Sequence, residues 1–275
     1  MADRGPPDPP VAPVEVSLTI AARPSTVFRW FTDPARFARW MGVGSVLEAE
    51  PGGRLRVGYP TGQVAAGQVM AVEPDRRIVF TWGYEGDGQA VPAGSSTVEV
   101  TLEPDPEGTR VRLRHSGLPA GEPPQAHLAG WRHALATLAY AGSAEQLAPV
   151  LGERVADWLA AWNEADPARR AALLGRCLAD GGRFRDPTAA VDGAGALADH
   201  IGMAQGMGGG ARLVGRGDPE PCHGVVRFGW AAVGPGEVVL ATGTNVARTD
   251  LDGRFRWVTG FWDPPTELPG PPRGP

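Results

Sequence analysis

Asp186 stands in RFRDPTAAVDG, residues 183–193, between an arginine and a proline at the end of a short predicted strand. A carboxylate there has two chemical uses. It can act as a general base in a pocket. It can also tie down the turn that Pro187 begins, because Asp side chains bond the backbone two residues on. His200 lies at the edge of an apolar helical stripe, three residues after Leu197 and one before Ile201. It is either an acid or donor for the same pocket or a boundary histidine. Arg227, in VVRFGW, is a candidate clamp for a carboxylate or enolate. Its strand parity is opposite to that of Phe228 and Trp230, so only one of the two sets faces inward.

Strand periodicity isolates a further polar group. Positions 239, 241, 243, 245 and 247 read Val, Ala, Gly, Asn, Ala, whereas 238, 240, 242, 244 and 246 read Val, Leu, Thr, Thr, Val. Small side chains around Asn245 leave volume, as a pocket wall does. The bulkier face is available to a second subunit or to the rest of the chain. Phe184 shares a face with Asp186 and is a candidate apolar wall.

Other chemistries find no support. All 26 basic residues are arginine, which excludes a Schiff-base lysine. No Gly-x-Ser-x-Gly occurs, and GMGGG (206–210) follows a predicted helix, so it reads as a C-cap and loop and not as a phosphate cradle. His127 and His133 are six apart, on opposite sides of a helix, and neither they, His115 nor Cys222-His223 completes a metal-ligand pattern. No metal and no cofactor are expected. Cys177 falls on an apolar stripe, and two cysteines are too few for a disulfide framework.

The elements that must position these residues fall into two patterned halves, as 275 residues allow. The first runs strand (14–22), two short helices, strands at 54–59, 63–72, 77–85, 95–103 and 109–115, and a helix over 126–142. Ser25 or Thr26 is the predicted cap of its first helix and Asp33, before Pro34, that of its second. Leu128, Trp131, Leu135 and Leu138 give the long helix an apolar stripe that should lie on the sheet. The second half runs helix (154–166), a helix begun by Asp166-Pro167, the strand GRFRDP, a helix over 195–205, and strands at 211–217, 224–233, 237–249 and 254–262. Residues 143–152 read as a linker or a continuing helix. Proline-rich tails at 1–13 and 264–275 are predicted to be disordered.

In the first half the order of elements, with RPSTVFRWFTDPARFARWMG, PGGRLRV, RRIVFTWGY, GTRVRLRHSGLP and HLAGWRHALATLA, resembles the SRPBCC or helix-grip superfamily. Within it the wording is similar to the branch related to the activator of heat-shock-protein-90 ATPase, over 14–142. The resemblance implies a cavity between sheet and C-terminal helix for a small apolar ligand. Trp131, Trp82 and Trp40 are its candidate wall, with core packing as the default role of the same residues.

The second half, through AAWNEADPARRAALL, RFRDPTAAVDG, RFGWAAVGP and DLDGRFRWVTGFWD over roughly 153–263, resembles the nuclear transport factor 2-like cone, which includes SnoaL-like cyclases and ketosteroid isomerases. The resemblance puts Asp186 at the general-base position. Trp158 falls where those isomerases carry an oxyanion-donor tyrosine, a departure, since an indole N–H donates but does not exchange a proton as a phenol does. Asn245 aligns with a second donor that is a protonated aspartate in that family, and an amide donates without a raised pKa.

The expected fold is therefore α+β: a helix-grip domain at 14–142, a linker at 143–152 and a cone-shaped α+β barrel domain at 153–263. The expected function is binding of small apolar or amphipathic molecules in two cavities, with Phe184, Arg227 and Trp230 lining the second. One alternative is a cofactor-independent isomerase or cyclase using Asp186, Asn245, Trp158 and His200. Another is a chaperone-associated, partner-binding module. A net charge of −5 argues against nucleic acid and anionic membranes, and neither an apolar leader nor a run of membrane-spanning length is present. A cytoplasmic location and a homodimer through the second-domain sheet complete the expectations.

Overall fold

Alternation of apolar and polar residues makes the strands, and glycine and proline punctuate them, so the chain's meanders can be followed in a computed structural model that describes residues 12–263. The expected tails lie outside the described residues, apart from Ala12 and Pro13. The chain divides into two compact units between Gln146 and Leu147, giving a mixed α+β protein with two sheets and six helices among the described residues.

The first unit comprises β1 (Val14–Ile20), α1 (Pro24–Thr32), α2 (Pro34–Met41), β2 (Val46–Leu47), β3 (Arg54–Gly58), β4 (Val64–Glu73), β5 (Arg77–Trp82), β6 (Ser96–Asp105), β7 (Gly108–Ser116) and α3 (Pro124–Leu147). Its antiparallel sheet has the order β1-β7-β6-β5-β4-β3-β2. On β6, Val98, Val100 and Leu102 point to the core, joined there by Trp131, Leu135 and Leu138 of α3. A long helix against one face of an antiparallel sheet is consistent with the helix-grip fold. Asp33 caps α2, accepting from the Arg36 N–H at 2.9 Å. The cap of α1 differs from expectation. Pro24 already occupies the first turn, Arg23 holds the cap position without a side-chain bond, and Thr26 instead donates to Gln146 Oε1 at 2.9 Å. Helix α3 continues to Leu147 through part of the stretch read as a linker or a continuing helix; Leu147 is buried among the core residues of the second unit, Pro149 follows, and the next helix starts at Leu151.

The second unit comprises α4 (Leu151–Asn163), α5 (Pro167–Cys177), β8 (Leu178–Asp186), β9 (Ala189–Asp192), α6 (Ala194–Met207), β10 (Arg212–Cys222), β11 (Val225–Val233), β12 (Val239–Thr249) and β13 (Phe255–Trp262). Its sheet order is β10-β11-β12-β13-β8-β9, with β13 and β8 parallel. Strand β9 was not expected: Pro187-Thr188 turn the chain back, and Asp186 faces Ala189 across a hairpin. Strand β10 continues past 217 to Cys222 through an irregularity between Arg216 and Glu220. Asp166 caps α5 at 2.8 Å. Cys177 is buried, which pushes its thiol up to about 12.

Candidate functional site

The sheet of the second unit presents one face to α4, α6 and the core, and its registers stack that face in rungs. Val226, Ala247, Val258 and Phe184 form one rung. Phe228, Asn245 and Gly260 form the next, with Asp186 beside Gly260, and Trp230, Gly243 and Trp262 the one after. Above them Ala232 faces Ala241. The rungs near Val258 are packed solid, with Phe228 stacked on Phe255 at 5.6 Å and Trp158 edge-on to Phe255 at 5.7 Å. From the rung of Asn245 outward the small residues of β12 open a cavity of about 470 Å³. Helix α6 lines its other side with His200, Met203 and Met207.

Six of the seven second-unit residues expected from sequence line this cavity: Asp186, Asn245, Trp158, His200, Phe184 and Trp230. Arg227 does not. Odd positions of β11 face away from the core in this stretch, so Arg227 is exposed and donates to Glu220 Oε2 at 2.6 Å, which corrects its expected role as a clamp. Sequence reasoning did not single out Gly260, Trp262, Met203 or Met207 as cavity residues. The first two were legible in principle, since VTGFW alternates in phase with the neighbouring strand.

Asp186 ties down the turn and also lines the cavity. Its Oδ1 accepts from the Thr188 N–H at 2.7 Å and the Thr188 hydroxyl at 2.9 Å, an Asx turn across the β8–β9 hairpin. Its Oδ2 has no partner among the described residues. Asn245 is 4% exposed and, among the described residues, its amide makes no hydrogen bond. The indole N–H groups of Trp158 and Trp162 are likewise buried without partners. Both indoles line the cavity, as does Asn245. No arginine lines it. His200 is flanked by Trp162 at 5.9 Å and Phe184 at 6.1 Å.

In the first unit the indole N–H groups of Trp30 and Trp82 are also buried without partners among the described residues. Trp40 donates to the Trp30 carbonyl at 2.8 Å, and Trp131 donates to His115 Nδ1 at 3.1 Å while its ring lies 4.9 Å from Trp82. Trp40, Trp82 and Trp131 are buried in the first unit's core, the default role read for them from sequence, with the N–H groups of Trp40 and Trp131 satisfied within the protein. An indole nitrogen only donates, so His115 carries its proton on Nε2, facing Ser96 Oγ at 2.8 Å; that serine donates to the Trp82 carbonyl at 2.9 Å. A histidine donating to a serine cannot activate it as a nucleophile. Burial, reinforced by the charge of His127 with its ring 5.1 Å away, brings His115 down to about 4. His127 pairs with Glu122 at 2.9 Å. Among the described residues no group of three or more His, Cys, Asp or Glu side chains is arranged to hold a metal, and no helix is long and apolar enough to cross a membrane.

Residues 21–141 match the family described as activator of Hsp90 ATPase homolog 1-like protein, and the first unit is accordingly an AHSA1-like domain of the SRPBCC class. No curated protein matches the chain. Among solved structures, a protein from Agrobacterium tumefaciens described as a candidate isomerase of the SnoaL-like family is 33% identical, with 42% of this chain and 97% of that one covered at a TM-score of 0.40. An AHSA1-like protein from Rhizobium etli is 36% identical, covering 48% of this chain and 81% of its own at a TM-score of 0.38. The Aha1 dimer from Colwellia psychrerythraea is 18% identical, with coverage of 46% and 93% and a TM-score of 0.40. Each likeness spans less than half of this chain.

Proposed function

We propose that this chain binds a small, mostly apolar molecule in the cavity of its second unit, with a polar oxygen of the ligand seated at Asn245. The observation that carries this reading is the buried, unpartnered Asn245 amide on the wall of a cavity of about 470 Å³. Ligand sites have this form: apolar walls and a few fixed polar groups. Native mass spectrometry on freshly purified protein tests it. A small molecule that co-purifies with wild type and is lost from Asn245→Leu supports the reading. A wild-type protein that carries nothing and binds no apolar ketone on titration overturns it.

We read the second unit as a SnoaL-like, cone-shaped domain fused to the AHSA1-like one, at roughly 153–263 and 14–142, with pairing of two copies through the outer face of its sheet. A second reading of the cavity is isomerase-type proton transfer. It is favoured by Asp186 and Asn245 lying on either side of Gly260. Asp186 Oδ2 would take a proton from the carbon beside a ligand carbonyl. The C–H electrons would form the enolate double bond, and Asn245, with Trp158 nearby, would hold the oxygen until the proton returns to a carbon. Deuterium exchange at the carbon next to a bound ketone, followed by NMR, separates the readings. Exchange abolished in Asp186→Asn supports catalysis, and binding without exchange leaves the protein a binder.

A further inference from the structure

The cavity has an uneven wall, and one side chain makes it so. Trp230 of β11 lays its ring across Gly243 of β12: a Cβ on Gly243 would lie 2.4 Å from Trp230 Cζ2 and 2.6 Å from Cε2. It would also lie 2.3 Å from the Phe261 carbonyl oxygen, so only glycine at 243 leaves room both for the backbone of β13 and for the indole where it lies. Trp262 meets the same ring edge-on at 6.0 Å from the third strand. Trp230 is buried and Trp262 is about half exposed, so the pair stands between the outside and the rung of Asn245. On either side of it the wall is low, with Ala232 and Ala241 outward and Gly260 inward. Two residues along a strand advance about 7 Å, so a ligand whose oxygen reaches Asn245 must pass its next four or five carbons alongside the indole.

We infer that Trp230 is the specificity-determining residue of this cavity and admits ligands by cross-section: a carbonyl compound with an unbranched tail fits, and one whose carbonyl sits on a compact cage does not. The inference rests on the binding reading above. No residue of this rung carries charge, so selection here is steric. A bulky ligand would have to displace an indole held by packing on both of its neighbours, and close-packed interiors resist such shifts.

The test uses two methyl ketones of equal carbon number, 2-dodecanone and 1-acetyladamantane, titrated into the full chain and followed by tryptophan fluorescence. Wild type should bind the linear ketone at least ~10-fold more tightly. Because the two ketones differ in hydrophobicity, the deciding quantity is the change in that ratio on substitution. Trp230→Ala should shift it by roughly tenfold toward the cage compound, and Trp230→Leu, which retains more of the core packing, should shift it in the same direction. Asn245→Leu should weaken both ketones and leave the ratio unchanged. A ratio unmoved in both Trp230 variants, or no preference in wild type, overturns the inference while leaving the binding reading intact. Failure of both ketones to bind wild type removes the binding reading, and the inference with it.

Discussion

Asp186 on β8 and Asn245 on β12 meet across Gly260 of the strand between them: a methyl group on that glycine would sit 3.0 Å from Asn245 Oδ1 and 3.3 Å from the Asp186 Cβ. Such contacts are tighter than side chains ordinarily make, so Gly260→Ala must push one neighbour aside. Asn245 is the freer of the two, since Asp186 is tied to Thr188. We expect Gly260→Ala to lower ligand affinity about tenfold with at most ~2 kcal/mol of lost stability. Titration and thermal unfolding of the same preparation check this, and unchanged affinity would contradict this meeting point as the polar end of the cavity.

Asn245 itself should trade stability for binding. A buried amide without partners carries a desolvation cost that an apolar side chain of similar size avoids. Asn245→Leu should therefore stabilise the ligand-free protein by about 1 kcal/mol while weakening ketone binding. Denaturant midpoints with and without 2-dodecanone measure both effects. A destabilised ligand-free variant would mean that Asn245 serves the fold and not a ligand.

Much of this arrangement was legible in the sequence because strand periodicity is local. The small-residue face around Asn245 and the pairing of Asp186 with a turn could both be read from spacing of two. Arg227 could not be resolved, since parity says that Phe228 and Arg227 part company but not which of them the core takes. The first unit's tryptophans were ambiguous for another reason. Whether Trp131 lines a cavity or fills it depends on His115 and Trp82, which come from other strands and meet it only after folding. The His115–His127 contact, built from a strand and a helix, left no trace in local pattern.

That contact should make the first unit acid-sensitive. His115 has a folded pKa near 4, set first by burial and then by His127, against about 6.5 when unfolded. Between those values the unfolded chain binds the extra proton, so stability rises with pH across the window and is lost as pH falls from about 6.5 toward 4. The full effect is on the order of 3 kcal/mol. Urea melts at intervals from pH 7 to pH 4 should show it, with ¹H NMR of the His115 ring as the site-specific monitor. A His115 resonance that titrates near 6.5 in the folded protein would rule the mechanism out.

Arg227→Ala serves as the contrasting case on the same strand as Trp230. Its partner Glu220 is as exposed as it is, and surface pairs of this kind contribute ~0–1 kcal/mol. Stability should change by no more than that, and ketone affinity should stay within about twofold of wild type. A large loss of binding would restore the clamp that its outward direction argues against.

The helical wall of the cavity depends on Arg170, which does not itself line it. Its side chain is buried, and its guanidinium donates to the carbonyls of Glu164 at 3.0 Å, Ala165 at 3.1 Å and Ala198 at 2.9 Å, and to Gln205 Oε1 at 2.8 Å. Gln205 in turn donates to the Trp162 carbonyl at 2.8 Å. The fork thus joins the end of α4 to both halves of α6, the helix that carries His200 and Met203 against the cavity. Lysine keeps the charge but not the planar set of donors, so Arg170→Lys should leave carbonyls unpaired and destabilise the fold by roughly 2–4 kcal/mol. Ligand affinity should fall as well, because α6 loses its anchor at both Ala198 and Gln205. Hydrogen exchange on the ligand-free protein locates the effect: amides of 194–207 should lose protection ahead of those in β11 and β12. Uniform loss across the unit would mean that Arg170 supports the fold as a whole and does not specifically set the cavity wall.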